Sequence, residues 1–596
     1  MFGKKEMPEL YTSWGEDLKR ESLLHMDDPS YKVLCEYPRP QMVRDNYEIL
    51  NGWWNYAFRP EKCEDPLGIE DWDGKILVPF SPESLLSGVN RVLQPNERLW
   101  YEREFDVKLQ EGKRLLLHFG AVDQVCEVFL NGVKVGEHEG GYLPFTIDTK
   151  NTLKEHNVLR LKVRDMTDKC ELSRGKQMLS HKGMFYTPQS GIWQTVWSEW
   201  VPDTYIENVV IIPRYDDRKV EFTIKIAGNE NREIFEEIAV PDDEFIPWTT
   251  ENPHLYTRKI TYGSDEVEVY YAMRCFTMER DKKGILRLCL NHKAIFMDGV
   301  LDQGYWPEGL MTPPSDEAFI YDIEQMKKTG FNMIRKHIKI EPMRWYYHCD
   351  RLGMIVWQDM VNGGGPYNAL KVTYIPTVFT KLQTKIRDNR YMYFARTDRM
   401  AKKNWTIECK NTVLHLLSVP CIALWTPFNE GWGQFDALKI TKMIRETDNT
   451  RLIDHASGWV DQGGGDVRSI HNYFDVFSLE GKKDDKRAIV YSEYGGFACL
   501  VKEHSAPRKI YGYRLYDSPR SLQKAYVKLK EDLFKLVPDG LCAGVFTQVS
   551  DIEDEINGVL TYDRKVNKLL IETEEPEEEL LEETEGTEYT TPDKTE

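Results

Sequence analysis

The chain has 596 residues, 41% of them hydrophobic, and a net charge of −19 at pH 7. This length predicts three or four domains with sizeable cores, and no apolar stretch approaches the roughly 20 residues of a membrane span. Eleven of the nineteen net negative charges lie in residues 571–596, and no basic cluster indicates nucleic-acid binding.

The two ends of the chain and the cysteines indicate a cytoplasmic protein. The first twenty residues contain no apolar core, which argues against a secretory signal peptide. The 11 cysteines are odd in number and never in CxxC spacing, as expected for free thiols rather than disulfides or a zinc site. The acidic residues 571–596 are predicted to be a disordered tail, serving either interaction or solubility.

The first half of the chain is predicted to be β-rich. Residues 1–43 show weak periodicity and are predicted to be an irregular lead-in. Residues 44–203 contain short strands with frequent turns, among them the two-residue hairpin signal Asn131-Gly132, and favour a jelly-roll sandwich. Residues 204–285 continue in strands and are long enough for a small second β-sandwich.

From residue 286 to 570 strand-like runs alternate with helix-like segments. Eight such strands over this length predict a (β/α)8 TIM barrel. Ser315, followed by Glu317, predicts a capped helix start. The predicted strands are Ala294–Val300, Asn332–Arg335, Met354–Trp357, Cys421–Trp425, Arg451–Asp454, either Val467–His471 or Val476–Leu479, Ala488–Ser492 and Ala543–Thr547.

Two glutamates are the strongest functional signal in the sequence. Glu430 and Glu493 each follow a buried-type apolar strand and are followed within three residues by glycine. The carboxyl ends of parallel strands are where α/β enzymes place their reacting groups. Two carboxylates at one barrel mouth suit glycoside hydrolysis, with one as acid/base and the other as nucleophile. The alternative is that each glutamate caps a helix or pairs with an arginine.

Other polar and aromatic residues follow the same predicted strands. Asn429 is expected to hold a sugar 2-hydroxyl, and Tyr473 either bonds the nucleophile or is an ordinary half-buried tyrosine. The remaining candidates either bind sugar or serve as local structural groups, and they are Asp302, Trp306, His337, Asp359, His455 and Trp459. No GxGxxG or GKS/GKT phosphate loop is present, so no cofactor is predicted.

Motifs spread along the chain resemble glycoside hydrolase family 2, the family of β-galactosidases, β-glucuronidases and β-mannosidases. They include Ile76–Glu83 (ILVPFSPE), Trp100–Arg103 (WYER), Ser190–Gln194 (SGIWQ), Trp248–Tyr256 (WTTENPHLY) and Gly330–Arg335 (GFNMIR). The resemblance covers residues 44–570. It implies a jelly-roll sugar-binding domain, an immunoglobulin-like sandwich and a catalytic barrel.

The resemblance also implies roles for single residues. Glu430 is the acid/base, Glu493 the nucleophile, and configuration is retained. Family glucuronidases carry an Asn-x-Lys element before the segment that is Gly558–Thr561 here, but this chain has Glu555-Ile-Asn557 without the lysine. Glu555 and Asn557 are therefore candidate substrate-binding residues in an acidic loop that would repel an anionic sugar.

The predicted function is therefore a retaining exo-β-glycosidase, with β-galactosides as the favoured substrates. A β-glucuronide, β-mannoside or arabinoside specificity is an alternative, and a catalytically silent carbohydrate-binding protein is the rival of another class. The predicted partner is a carbohydrate, with no membrane and no nucleic acid. A homo-oligomer is among the options that the sequence leaves open. No metal is predicted, because the magnesium-ligand pattern of large β-galactosidases has no match here.

Overall fold

A computed structural model describes residues 9–62, 69, 71–368, 386–480 and 486–570. The predicted disordered tail, residues 571–596, lies outside these residues. Within the described part of the chain, no helix is long and apolar enough to cross a membrane.

The N-terminal segment contains a helix that the weak periodicity did not predict. Helix α1 spans Ser13–Leu24, and the side chain of Thr12 caps it by accepting a hydrogen bond from the Gly15 N–H (3.1 Å). The Thr12 hydroxyl also donates to Glu308 Oε1 (2.5 Å), which anchors the helix on the barrel. The prediction of an irregular segment is therefore wrong for residues 13–24, whose helix depends on a cap and on contacts remote in sequence.

Residues 47–202 form the jelly-roll part of the molecule. One sheet has the order β10-β6-β13-β2, a second has β4-β3-β5-β11-β8-β9, and β7 pairs with β12. Asn131 (φ 53°) and Gly132 (φ 83°) form the predicted hairpin turn. The strands are β2 (Tyr47–Ile49), β3 (Gly52–Pro60), β4 (Gly74–Val78), β5 (Glu97–Asp106), β6 (Lys113–Phe119), β7 (Val122–Asp123), β8 (Val125–Leu130), β9 (Val133–Glu139), β10 (Phe145–Asp148), β11 (His156–Arg164), β12 (Gly191–Ile192) and β13 (Val196–Pro202).

The second sandwich borrows a strand from the N-terminal segment. Strand β1 (Met42–Val43) pairs with β18 in a sheet of order β1-β18-β17, which faces the sheet β14-β15-β16. A separate hairpin sheet, β19-β20-β21, spans the boundary that the sequence places at 285/286. The strands are β14 (Thr204–Arg214), β15 (Lys219–Gly228), β16 (Arg232–Ala239), β17 (Tyr256–Tyr262), β18 (Asp265–Tyr271), β19 (Phe276–Arg280), β20 (Leu286–Leu290) and β21 (Lys293–Ala294).

All eight predicted barrel strands are present and pair in parallel. Their order is β26-β25-β24-β23-β22-β31-β28-β27, and the first and last members are not joined by a strand ladder. Instead the Asp466 N–H donates to Ile453 O (2.8 Å) at this seam. The strands are β22 (Met297–Asp302), β23 (Met333–Lys336), β24 (Ile355–Asp359), β25 (Ile422–Thr426), β26 (Leu452–Ile453), β27 (Val467–Asn472), β28 (Ala488–Gly495) and β31 (Leu541–Thr547), with β29 (Phe497–Cys499) and β30 (Arg514–Tyr516) as a side pair.

The helices surround this barrel incompletely in the described residues. Ser315 caps α2 by accepting from the Ala318 N–H (3.3 Å), as predicted. Among the described residues, β27 is the only regular element between β26 and β28, and no helix is described on either side of it. The helices are α2 (Asp316–Lys328), α3 (Met343–Leu352), α4 (Arg399–Leu416), α5 (Ala437–Thr447) and α6 (Pro519–Phe534).

A buried arginine joins the two β-sandwiches. Arg44 is 4% exposed, and its guanidinium donates to Glu199 Oε2 (3.0 Å) on β13 and to Asp265 Oδ2 (2.8 Å) on β18. Burial opposes ionisation of Glu199, but Arg39, His118 and Arg44 outweigh it and hold the pKa of Glu199 below its usual range. Both carboxylates therefore depend on this cation.

Replacing Arg44 is expected to destabilise the fold. Arg44→Met should lower the free energy of unfolding by about 3–5 kcal/mol, because the change leaves two buried carboxylates short of a partner. Urea denaturation followed by tryptophan fluorescence measures the loss. The control is Arg20→Met, which removes an exposed pair with Asp17 and should cost no more than about 1 kcal/mol. Equal losses in the two variants would contradict the role of Arg44.

Candidate active site

The two glutamates meet at the carboxyl-terminal mouth of the barrel. Glu430 lies four residues beyond β25, and Glu493 lies within β28, two residues before its end. Glu430 adopts a left-handed backbone conformation (φ 52°), and its N–H donates to Ser457 O (2.9 Å). Such a conformation in a non-glycine residue costs about 1–3 kcal/mol and is typical of functional sites.

An imidazole lies between the two carboxylates. His471 Nδ1 is 2.8 Å from Glu430 Oε1 and 3.4 Å from Glu493 Oε2. One oxygen of each glutamate and this nitrogen all lie within 4.8 Å of one another. Both side chains are largely buried, with Glu430 8% and Glu493 4% exposed. The structure thus brings the two carboxylates predicted from distant parts of the sequence into one compact group.

The Arg335 side chain forms hydrogen bonds with several residues of this group. It is fully buried and donates to Glu493 Oε1 (3.2 Å) and to Asn429 Oδ1 (2.9 Å). The same guanidinium forms two 3.0 Å hydrogen bonds with the carboxylate of Asp359. One cation therefore fixes three of the predicted site residues in relation to each other.

The environment of Glu493 favours its ionised form. Burial opposes ionisation, but His471 and Arg335 outweigh it and lower the pKa of Glu493 to about 2. The Tyr473 hydroxyl donates to Glu493 Oε2 (2.5 Å) and adds to this effect. The Tyr473 ring stacks on Tyr513 with centroids 3.8 Å apart. Glu493 is accordingly a carboxylate throughout the physiological pH range.

His337 is held neutral beside the pair. Burial lowers its pKa well below the usual value, and Lys176 and Arg335 lower it further. Its Nδ1 lies 2.7 Å from Asp359 Oδ2, so the Nδ1 proton is donated to that carboxylate. Asp359 is fully buried, and its oxygens are taken up by Arg335 and His337. Asp359 therefore fixes the positions of Arg335 and His337 in the site.

Several other predicted residues are engaged within the protein. Asp302 pairs with Lys336 (2.5 Å). The Arg564 guanidinium carbon lies 4.0 Å from the centroid of the Trp306 ring. His455 Nε2 accepts the Gln462 N–H (2.9 Å). These three side chains serve the surrounding structure. Trp459, by contrast, packs edge-on against His471 with centroids 5.1 Å apart and belongs to the site.

The acidic side chains of residues 551–555, predicted to repel an anionic sugar, form hydrogen bonds and ion pairs within the protein. Asp551 pairs with the buried Lys568 (2.7 Å), and Asp554 Oδ1 accepts the Arg508 N–H (2.9 Å). Glu553 Oε1 accepts the Thr187 N–H (2.8 Å). Each of these carboxylates therefore has a partner within the protein, and the ammonium of Lys568 offsets the charge of Asp551.

Glu555 and Asn557 are buried in that loop. Glu555 Oε2 accepts hydrogen bonds from the Tyr186 hydroxyl and from Gln303 (3.4 Å), and burial raises its pKa. Asn557 Oδ1 accepts from Gln548 (2.7 Å). Tyr186 belongs to the jelly-roll part, so the Glu555 contact joins that part to the barrel mouth.

A segment of the jelly-roll part forms one wall of the mouth, although no pattern in the sequence indicates it. Lys176 is 8% exposed, with Nζ 5.5 Å from the Trp432 ring centroid and 6.0 Å from that of Tyr186. The Phe185 ring packs on Trp432 with centroids 5.7 Å apart. The segment between β11 and β12 lacks a regular period, so only the tertiary structure identifies these residues.

The site also contains three residues that are not among those predicted from the sequence, namely Arg335, His471 and Tyr513. Arg335 and His471 both lie near the carboxyl ends of correctly predicted strands, so their position was the available signal. Among the described residues, two groups have the geometry to hold a metal ion. They are Glu430, His471 and Glu493 in this site, and Asp216, Cys275 and His292 elsewhere.

Comparison with known proteins matches this architecture. Residues 86–193 match the profile of the glycosyl hydrolase 2 galactose-binding domain-like family, and residues 283–511 match the glycosyl hydrolases family 2 TIM barrel domain. The chain is a multidomain protein with a TIM barrel that carries paired carboxylates at its mouth. It belongs to glycoside hydrolase family 2.

Curated relatives carry two kinds of name. The chain is 26% identical over 398 residues to a β-galactosidase of Lactococcus lactis, which covers 58% of this chain and 38% of that protein. It is 24% identical to the β-galactosidase large subunit of Latilactobacillus sakei, covering 72% and 75% of the two chains. A putative β-glucuronidase of Formosa agariphila is 24% identical, covering 44% and 34%. The chain spans between about a third and just over half the length of the first curated relatives.

Solved structures share the fold. A β-D-glucuronidase of Dictyoglomus thermophilum superposes with a TM-score of 0.68 at 16% identity, covering 89% of this chain and 97% of that chain. A β-galacturonidase of Eisenbergiella tayi bound to galacturonate gives a TM-score of 0.66 at 16% identity, covering 90% and 97%.

The supporting role of Asp359 predicts a loss of stability that needs no substrate to detect. Asp359→Asn should lower the free energy of unfolding by about 3–5 kcal/mol, because it weakens the pairing of a fully buried guanidinium. Thermal and urea denaturation of the substrate-free protein measure it. Asp475→Asn, an exposed acid near the same mouth, should stay within about 0.5 kcal/mol of wild type. If Asp359→Asn unfolds like the wild type, Asp359 does not support the site.

Proposed function

We propose that this protein is a retaining exo-β-glycosidase that acts by double displacement. The observation that carries the proposal is the buried pair Glu430 and Glu493, whose nearest oxygens lie within 4.8 Å. Retaining glycosidases hold their carboxyl groups about 5–5.5 Å apart, whereas inverting enzymes need a wider gap for a water molecule. The wall contributed by the jelly-roll part around Lys176 suits a pocket for one terminal sugar.

The different environments of the two glutamates support a division of labour. Glu493, with its pKa lowered to about 2, attacks the anomeric carbon as a carboxylate. Glu430 donates a proton to the departing glycosidic oxygen, so that the C–O bond breaks as the bond to Glu493 forms. Glu430 then takes a proton from water, and the hydroxide displaces Glu493 to release the sugar with its original configuration.

Neighbouring groups have assigned roles in this proposal. The Asn429 carbonyl oxygen is held by Arg335, which leaves the Asn429 amide hydrogens to donate to a sugar 2-hydroxyl. Tyr473 steadies the ionised nucleophile through its 2.5 Å hydrogen bond. His337, neutral and fixed by Asp359, presents Nε2 as an acceptor for another sugar hydroxyl.

The first candidate substrate is a neutral β-hexoside, with β-galactosides favoured. The lysine that family glucuronidases carry before the Gly558–Thr561 segment is absent from this chain. Among the curated relatives named above, the one that covers the largest share of this chain is a β-galactosidase, the Latilactobacillus sakei large subunit, at 72%. A substrate of this kind needs hydrogen-bonding groups without net charge, and the charge of Lys176 is partly offset by Glu555, on which it acts without forming an ion pair.

A uronide is the second candidate, favoured by Lys176. Its ammonium is buried against Trp432 and Tyr186, and its charge acts on both His337 and Glu555. In the described part of the chain no carboxylate lies within ion-pair distance of Lys176 Nζ. A cation placed in this way can pair with a sugar carboxylate, so the jelly-roll part would replace the missing lysine of the barrel loop.

The catalytic assignment is tested by isosteric substitution. Glu430→Gln and Glu493→Gln should each lower kcat on p-nitrophenyl β-glycosides by at least about 10²–10⁴-fold, because each removes a proton-transfer or nucleophilic group. The matched control is Glu446→Gln, an exposed glutamate on α5, which should keep wild-type rates. Wild-type rates in both site variants would refute the assignment. Sugar binding by the wild type without turnover across a broad panel would favour a silent binding protein.

The two substrate candidates are separated by Lys176→Met. With a uronide as substrate, kcat/KM for p-nitrophenyl β-glucuronide or β-galacturonide should fall by at least about 30-fold, the lower end of the cost of removing one partner of a buried charge pair. Lys182→Met, an exposed lysine of the same segment, should leave it unchanged. Turnover of galactosides in preference to uronides by the wild-type protein would exclude the second candidate.

A further inference from the structure

A second group of metal-binding side chains lies outside the active site. Asp216 is in the turn between β14 and β15, Cys275 directly precedes β19, and His292 is in the turn between β20 and β21. One ligand atom from each lies within 4.8 Å of the others. His292 Nε2 is 2.6 Å from Asp216 Oδ1 and 3.5 Å from Cys275 Sγ. Three segments that are distant in sequence thus converge on one point.

The backbone around these residues is arranged to present them. Asn291 and His292 both have positive φ (54° and 62°), which produces the tight two-residue turn of the hairpin. The Asn291 side chain accepts the Cys275 N–H (3.0 Å) and donates to Trp248 O (3.0 Å). The left-handed region is unfavourable for histidine. His292 nevertheless adopts it, and its ring lies against Asp216 and Cys275.

A carboxylate orients the histidine from its other side. His292 Nδ1 is 2.7 Å from Glu279 Oε1, and Glu279 accepts a hydrogen bond from the Thr277 hydroxyl (2.5 Å). With the Nδ1 proton donated to Glu279, Nε2 faces Asp216 and Cys275, and a metal ion there would take the place of the proton that Nε2 shares with Asp216 Oδ1. This carboxylate–histidine arrangement is the usual support of a metal-bound imidazole, because it fixes the tautomer and increases ligand basicity.

We propose that Asp216, Cys275 and His292 bind a zinc ion, with Glu279 as the positioning residue and water as the fourth ligand. A thiolate, an imidazole and a carboxylate suit tetrahedral Zn²⁺, whereas Mg²⁺ and Ca²⁺ prefer oxygen ligands alone. Coordination replaces the thiol proton of Cys275 and any proton on His292 Nε2, so binding releases protons to the buffer.

The position of the site assigns it a structural role. The β19–β21 hairpin lies at the amino-terminal end of the barrel, where Arg287 donates to Val537 O (2.5 Å) just before β31. The glutamate pair lies at the opposite, carboxyl-terminal end. A zinc ion would therefore join the β14–β15 turn of the sandwich to the base of the barrel without contacting the sugar.

Titration of the full-length, tag-free protein with zinc chloride tests the proposal. After treatment with a chelator, calorimetry in buffers of different ionisation enthalpy should show one Zn²⁺ bound per chain with proton release. Co²⁺ in place of Zn²⁺ should give the sulfur-to-metal charge-transfer absorption of a thiolate ligand. Zinc should also raise Tm, because it binds only the folded arrangement of the three segments.

Variants locate the metal. Cys275→Ser and His292→Asn should each weaken binding at least tenfold, and Glu279→Gln should weaken it by about 10–100-fold. Asparagine tolerates positive φ, so His292→Asn preserves the hairpin turn. Cys35→Ser, at an exposed cysteine elsewhere, is the matched control and should bind zinc as the wild type does.

Two results would overturn the proposal. One is the absence of zinc binding at micromolar protein concentration. The other is wild-type affinity in both Cys275→Ser and His292→Asn, which would move the metal to another group such as Glu430, His471 and Glu493. Inhibition of glycoside hydrolysis by zinc reports that second location, whereas zinc at the proposed site should leave kcat unchanged.

Discussion

The guanidinium of Arg335 is the interaction on which the active site depends. A fully buried cation is tolerated only when it is paired and hydrogen-bonded, and Arg335 meets this condition with Asp359, Glu493 and Asn429. These partners come from the carboxyl ends of β24, β28 and β25. Satisfying one charge therefore aligns three strand ends, keeps Glu493 ionised and directs the amide of Asn429 toward the mouth.

Features governed by local rules could be predicted from the sequence. The eight barrel strands were found because buried parallel strands leave apolar runs of fixed length, and the start of α2 because its cap lies within four residues. The Asn131-Gly132 hairpin follows from the same kind of short-range chemistry. Helix α1 and strand β1 were missed, because both depend on partners hundreds of residues away, such as Glu308 for the cap of α1.

Whether a predicted residue faces the mouth or is bonded to the surrounding protein depends on its hydrogen-bond partners. These partners are distant in the chain and cannot be read from the sequence. Position after a strand correctly placed Glu430, Glu493 and Tyr473 together at the mouth. The same criterion selected Asp302 and His455, which are occupied by protein partners. The acidic count of residues 551–555 likewise omits the partners of these carboxylates, among them Lys568, whose ammonium offsets the charge of Asp551.

The paired glutamates and the Lys176 wall of the mouth belong to different parts of the chain. The carboxylates belong to barrel strands, whereas Lys176 and Tyr186 reach the mouth from a loop between jelly-roll strands. A loop tolerates changes in length and sequence that a closed parallel barrel does not. On the proposed function, preference among sugars can therefore be altered within this loop while Glu430 and Glu493 remain unchanged, and grafting the loop between relatives is a direct way to transfer it.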